Sequence, residues 1–354
     1  MKITRREFNI GLSSSLLLAT FGCLSRRKTQ KIEWSKGKPK VIIVGAGISG
    51  LIAGVRLTEA GMDVTVVESE PQVGGRVYSE ELGGTHANLG AQYFFMSDND
   101  YLNYYVKKNK KFVPYGGLHG ALWDGMFVAS YDESFFAKLP IEESSLLEID
   151  AATKKMQKAY KNLAKGRDFI LDRNPVSKIW SDLDSISASE YLSNYHPDVT
   201  NFFNCFLKPE GGIGASGTSA LLLVGWYGAT KGDGTIYLIE GGNHNLTEAI
   251  ASDIKEGGNT ILLSTGVEEI KQTDTDVSVH CKNGEKLNAD YIIVTTPTTV
   301  AKKIVTDLPK KKREALDAVR YGASMQVGLH LTNSSKPSAY GIEKDCKNFV
   351  NAVI

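Results

Sequence analysis

Three glycines at positions 45, 47 and 50, spaced G-x-G-x-x-G, are the first residues here whose type and placement imply chemistry. They stand in the run Gly45-Ala46-Gly47-Ile48-Ser49-Gly50, and the chemistry is the holding of a diphosphate. Gly45 permits a tight turn, Gly47 lets a pyrophosphate approach the main chain, and Gly50 lets a helix lie close to a strand. A helix starting there offers free N–H groups and partial positive charge to phosphate oxygens. Glu68 is spaced to accept hydrogen bonds from a ribose.

No bond-breaking residues group in the same way. The histidines, His86, His119, His196, His244, His280 and His330, show no metal-ligand spacing. Cys23, Cys205, Cys281 and Cys346 form no C-x-x-C pair, which speaks against a zinc site or a disulfide framework. No Ser-His-Asp or Cys-His arrangement can be nominated. The glycine-rich stretch Gly211 to Gly217 follows no strand and lacks a lysine, so it reads as a loop.

The elements that must position the glycines are legible around them. Val41-Ile42-Ile43-Val44 is β-branched and apolar, as in a buried parallel strand. A helix is expected from Ser49 to Ala60, with Gly61 to stop it, then a strand from Val64 to Val67 ending at Glu68. Further on, Asp98-Asn99-Asp100 caps a helix over Tyr101 to Asn109. Asp124-Gly125 and Asn283-Gly284 each turn a hairpin. An apolar stripe of Leu146, Ile149, Ala152, Met156, Tyr160 and Leu163 predicts a helix between Glu143 and Lys165. Ser187 to Glu190 reads as a capping box, with helices expected over 198–207 and 219–227. A second glycine pair, Gly241-Gly242, leads into a helix from about Asn245 to Glu256. Strands are expected at Thr260–Leu263, Val267–Lys271 and from Tyr291 to a proline stop at Pro297. A helix over Pro309–Val319 and a strand over Met325–Leu331 follow.

Beyond Glu68 come Gly74-Gly75-Arg76, Gly83-Gly84 and Leu89-Gly90-Ala91-Gln92-Tyr93. Together with the glycine turn they resemble the flavin amine oxidase superfamily, which includes amine and amino-acid oxidases, protoporphyrinogen oxidases and carotene desaturases. The resemblance covers about residues 40–330. It implies an α/β fold, a Rossmann-type FAD-binding domain with an inserted, mainly helical α+β substrate domain. FAD is the implied cofactor. Gly74, Gly75 and Arg76 would support its diphosphate, and Gly90, Ala91, Gln92 and Tyr93 would run beside the flavin ring. Val267 matches a valine on the adenine side and reads equally as a core valine. Glu70 stands where the family often has a basic residue. The family often places a lysine near flavin N5; Gln326 stands at that position and reads either as its replacement or as a plain polar strand residue.

The implied reaction is oxidation of a small-molecule substrate, an amine or amino acid, by hydride transfer to flavin, with oxygen as acceptor. Protoporphyrinogen-oxidase-like or desaturase-like C–C dehydrogenation is the alternative, and a non-catalytic flavin-binding chain or inactive fragment is a third. The implied boundaries are 40–100 and 237–298 for the FAD domain and 101–236 and 299–354 for the substrate domain.

The chain has 354 residues, enough for two domains, and a net charge of +1, which points to no nucleic-acid partner. Residues 1–24 read as an export signal: Thr4-Arg5-Arg6-Glu7-Phe8 resembles the twin-arginine motif, and Ile10–Leu24 is too short to span a bilayer. A Sec signal is the alternative. Either places the protein in the periplasm or beyond, the first through the twin-arginine machinery. Gly22-Cys23 resembles a lipoprotein cleavage site, so Cys23 is either a lipid anchor or an ordinary cysteine. The basic linker 25–39 reads as a membrane-surface segment or a solvated tether. Nothing after Val327 resembles the glycine-rich segment that closes the flavin site in family members, so the C-terminal part is expected to be missing.

Overall fold

A computed structural model of the chain describes residues 37–95, 112–115, 118–123, 126–130, 141–164, 178–211, 213–228, 236–322, 325–328 and 339–343. Arg5, Arg6, Cys23, most of the basic linker and the helix expected over 101–109 lie outside the described residues.

The chain begins β1 (Lys40–Val44), α1 (Ile48–Glu59), β2 (Asp63–Val67), β3 (Ser79–Leu82), β4 (Thr85–Asn88), β5 (Phe94–Phe95), β6 (Phe112–Tyr115), β7 (Leu118–Trp123) and β8 (Met126–Ser130). Among the described residues the helices α2 (Glu143–Ala164), α3 (Lys178–Asp184), α4 (Ala188–Leu192), α5 (Pro197–Gly211) and α6 (Ala220–Gly228) follow. Then come β9 (Ile236–Ile239), α7 (Asn245–Glu256), β10 (Thr260–Leu262), β11 (Val267–Gln272), β12 (Val277–Cys281), β13 (Lys286–Ala289) and β14 (Tyr291–Val294). Last are α8 (Thr298–Ile304), α9 (Lys310–Ala318) and β15 (Ala339–Glu343).

Two compact units result, Met1–Pro114 with Tyr237–Arg320, and Tyr115–Ile236 with Tyr321–Ile354. Residues 299–320 thus group with the first unit, beyond the boundary at 298 read from the sequence.

The first unit is built on a parallel sheet of order β10-β2-β1-β14. Both faces of this sheet are covered, one by helices and the other by a second sheet, so its central strand needs no polar side. Val41, Ile42, Ile43 and Val44 are accordingly all buried. Ile43 joins one core cluster with Leu51 and Val55 of α1 and Ile250 and Ile254 of α7. Ile42 and Val44 join another with Val277 and Val279 of the antiparallel β11-β12-β13 sheet. This is the α/β dinucleotide-binding architecture that the resemblance implied.

The second unit has a helical core in which α2 buries Ile149, Ala152, Met156 and Tyr160 against Phe203 of α5 and Leu223 of α6. The same unit holds β7 and β8, which pair antiparallel, with β15 parallel to β7; the expected turn residues Asp124 and Gly125 lie outside the described residues.

Three differences from the expected elements have physical causes. Residues 325–328 are not a strand: Met325 is 89% and Val327 61% exposed, and a strand needs a hydrogen-bonding neighbour as well as apolar alternation. β14 stops at Val294, where its partner β1 also ends and the Thr295 N–H and hydroxyl both close on the Val44 carbonyl at 2.9 Å. The β3–β4 hairpin was not foreseen: Ser79–Leu82 and Thr85–Asn88 carry almost no apolar alternation, and only the turn Gly83-Gly84, at φ 59° and 82°, betrays it.

Candidate functional site

The glycine turn forms where β1 gives way to α1. Gly45 has φ 104°, which suits a residue without Cβ, and its N–H donates to the Val67 carbonyl at 2.8 Å, tying the turn to β2. A Cβ on Gly50 would lie 2.0 Å from the Gly45 carbonyl oxygen, so Gly50 is required by the fold's own packing. Gly47 is different. It caps α1 with an ordinary φ of −68°, and a Cβ there would meet no protein atom within 4 Å. Space is open over Gly47, and α1 begins without a side-chain cap. Its first-turn N–H groups therefore suit an acceptor from outside the chain.

Glu68 closes the other side. It is 9% exposed; one carboxylate oxygen accepts from the Ala46 N–H at 2.7 Å, the other from the Glu70 N–H and the Ser69 hydroxyl at 3.0 Å each. A carboxylate has about four acceptor positions. Glu68 thus braces the turn and keeps capacity for a ribose hydroxyl. Ala46 is a brace as well: its N–H serves Glu68 and its carbonyl accepts from the Gly74 N–H at 2.9 Å.

That last bond brings the second motif to the first. Gly74 bridges Gly47, and a Cβ on Gly75 would stand 3.2 Å from Gly47 Cα. Arg76 is exposed beside them, and its carbonyl accepts from the Ala91 N–H at 2.8 Å. Gly90 lies so close to this turn that a Cβ would be 2.1 Å from the Arg76 oxygen. Gln92 and Tyr93 follow, half-buried. The structure therefore brings together Gly45 to Gly50, Glu68, Gly74 to Arg76 and Gly90 to Ala91 in one continuous main-chain network. Residues that accept a dinucleotide diphosphate and ribose are present and unobstructed, so the arrangement fits FAD.

Val267 opens β11, two residues after Thr265, whose N–H donates to the Glu68 carbonyl at 2.7 Å. Its side chain packs against the β12 core, as the core-valine reading expects. Gln326 lies in the second unit on an exposed stretch outside helix and strand, and it is not among the residues that the glycine network joins.

Sequence reasoning passed over two asparagines, Asn88 and Asn243, whose side chains fasten the Gly90–Gln92 main chain. The only sequence cue was the position of Asn243 directly after Gly241-Gly242. In the second unit, Ser145 Oγ lies 3.0 Å from His196 Nδ1, while Asp198 stands 3.5 Å from the same nitrogen. A hydrolytic relay needs its nucleophile and its acid on opposite ring nitrogens, so this group caps α5 instead.

Residues 48–339 match the flavin containing amine oxidoreductase family. An L-amino acid oxidase of Bothrops pictus is 27% identical over 308 residues, covering 83% of this chain and 60% of that protein. The chain thus spans less than two thirds of that relative. A putrescine oxidase bound to putrescine shares the fold with a TM-score of 0.66 at 19% identity, over 81% of this chain and 64% of that one. A fatty acid isomerase from P. acnes does so with a TM-score of 0.62 at 19% identity, over 80% and 64%.

Proposed function

The chain belongs to the flavin containing amine oxidoreductase family, and from that premise we propose that it is an FAD-dependent oxidoreductase acting on a small amine or amino acid, with oxygen as electron acceptor. The observation that carries this reading is the convergence of three glycine segments on one turn with open space over Gly47. When bound, FAD supplies hydride acceptance at its N5 atom. The chain's residues bind and orient. The α1 N-terminus and Gly47 receive the diphosphate, Glu68 receives the adenosine ribose, and Gly90 to Tyr93 line the ring. The Bothrops L-amino acid oxidase supports amino acids as the first substrate class to try.

Gln326 motivates a second reading. A neutral amide cannot replace an ammonium group, so C–C dehydrogenation stands behind amine oxidation. A fold shared with a fatty acid isomerase fits this, since fold does not decide chemistry. One experiment separates the readings: the flavin absorbance of the purified protein, followed anaerobically with amines, amino acids and C–C donors in turn. Bleaching by amines or amino acids, with recovery and peroxide release in air, supports the first reading. Bleaching by C–C donors alone supports the second, and a flavin that no donor bleaches supports a non-catalytic binder. Gln326→Ala should slow flavin reduction or reoxidation with little loss of bound flavin; unchanged rates for both remove Gln326 from the chemistry.

The same proposal places the protein outside the cytoplasm. A flavin is inserted during folding, and the twin-arginine route carries folded proteins, which is the reason to read Arg5 and Arg6 as its signal. Replacing both with lysine should retain the protein in the cytoplasm, and unchanged export would exclude the route. Mass spectrometry of Cys23 decides the lipid anchor.

A further inference from the structure

We propose that Asn243, together with Asn88, is a positioning residue that sets the main chain facing the flavin ring. The inference rests on the reading that Gly90 to Tyr93 runs beside that ring. Asn243 is fully buried, and a buried amide must find partners for its donors and its acceptor. Its Oδ1 accepts from the Ile239 N–H at 3.0 Å, closing the turn into α7. Its Nδ2 donates to the Ala91 carbonyl at 2.9 Å, across 152 positions of sequence. Its own N–H donates to Asn88 Oδ1 at 2.9 Å.

Asn88 extends the clamp. Its Oδ1 also accepts from the Ser79 hydroxyl at 2.7 Å, and its Nδ2 reaches the Gln92 carbonyl at 3.4 Å. The Ser79 hydroxyl in turn accepts from the His244 N–H at 3.2 Å. The Ala91 N–H is already held by Arg76. Both peptide planes around Ala91 are therefore fixed, the carbonyls of Ala91 and Gln92 being drawn toward the two asparagines. A carbonyl that rotated free would present its dipole to whatever lies alongside, and a flavin's absorption and potential respond to such dipoles.

A turn-closing role alone would need only Oδ1; the clamp needs Nδ2. Asn243→Asp separates them. The carboxyl placed there keeps the bond to Ile239. It donates to Ala91 when protonated and repels that carbonyl when ionised. In the FAD-loaded full chain, we expect visible absorbance and flavin-band circular dichroism close to wild type at low pH. They should depart progressively between about pH 5 and pH 8, with FAD affinity about tenfold weaker at the upper end. Wild type should show no such dependence. A variant that matches wild type in spectrum and affinity throughout this range overturns the proposal. Should Asn243→Asp fail to fold, Asn88→Asp decides: it keeps the bonds accepted from Ser79 and Asn243 and loses the amide donor to Gln92, and a wild-type flavin spectrum at every pH again overturns the clamp. A wild-type protein that binds no FAD overturns the cofactor reading beneath both, which is a different result.

Discussion

At Gly47 the binding argument and the folding argument separate, because a side chain there collides with nothing in the protein. Gly47→Ala should leave the melting of the cofactor-free protein within ~0.5 kcal/mol of wild type. It should weaken FAD by about tenfold or more, since the Cβ would occupy the path of the diphosphate. Gly50→Ala should instead destabilise the fold by ~1–3 kcal/mol, with its Cβ 2.0 Å from the Gly45 oxygen. Thermal melts and FAD titrations of the two variants check this, and equal loss of stability would remove the distinction. Glu68→Gln should do both kinds of damage. An amide cannot accept at both ends, so one of the N–H groups of Ala46 and Glu70 loses its acceptor, at ~1–3 kcal/mol, and the ribose contact weakens too. A cofactor-free melt unchanged by Glu68→Gln would show that the bracing bonds contribute little. Gly47 and Glu68 were legible in the sequence because a motif fixes their spacing relative to a strand and a helix. The internal bonds of Glu68 and the whole role of Asn243 were not, because they depend on partners that only the folded chain brings near.

A capping box was legible because its cause is local, and the buried strands Val41–Val44 and Val64–Val67 were legible from their β-branched runs, whereas the β3–β4 hairpin was not. The capping box of α4 is the clearest local case. The Ser187 hydroxyl accepts from the Glu190 N–H at 3.1 Å, and the Glu190 carboxylate accepts from the Ser187 N–H at 2.7 Å. The backbone bond from Ser187, and then its hydroxyl, hold the Glu190 carboxyl below the usual carboxylate range. A depressed pKa in the folded state stabilises the fold above the ordinary value of 4.5 and ceases to do so as pH falls through the lowered one. Ser187→Ala should cost ~1 kcal/mol at neutral pH, with the difference from wild type shrinking in acid as Glu190 protonates in both proteins. Chemical denaturation at neutral and acid pH measures it; a difference that grows in acid contradicts the assignment. By contrast, a strand was expected over Met325 to Leu331, yet its first residues lie exposed and outside any strand. The α7 helix, Asn245–Glu256, came out at the residues expected, since its apolar face repeats at helical spacing and buries Leu246, Ile250 and Ile254.

Across the whole chain, the two units differ in what holds them together, and that difference is testable. Among the described residues, every buried member of the second unit's helical core lies between Ile141 and Val224. Phe203 is among its largest fully buried side chains, edge-on to Phe202 at 5.2 Å between ring centroids. The glycine network and Glu68 belong to the other unit. A ligand that binds only the native state stabilises what it binds by RT ln(1 + [L]/Kd), ~2.7 kcal/mol at a hundredfold excess over Kd. FAD should therefore raise the melting of the first unit. Phe203→Ala should remove ~3–5 kcal/mol from the second unit by opening a cavity, while leaving FAD affinity close to wild type. Calorimetry of both proteins, with and without FAD, should resolve two transitions: one that moves with the cofactor and one that moves with the mutation. A single transition that both perturbations shift together would mean that the units unfold as one cooperative body. In that case FAD affinity, measured well below the melting range, remains the deciding quantity. A large loss of FAD affinity in Phe203→Ala would show that the helical core bears directly on the cofactor site.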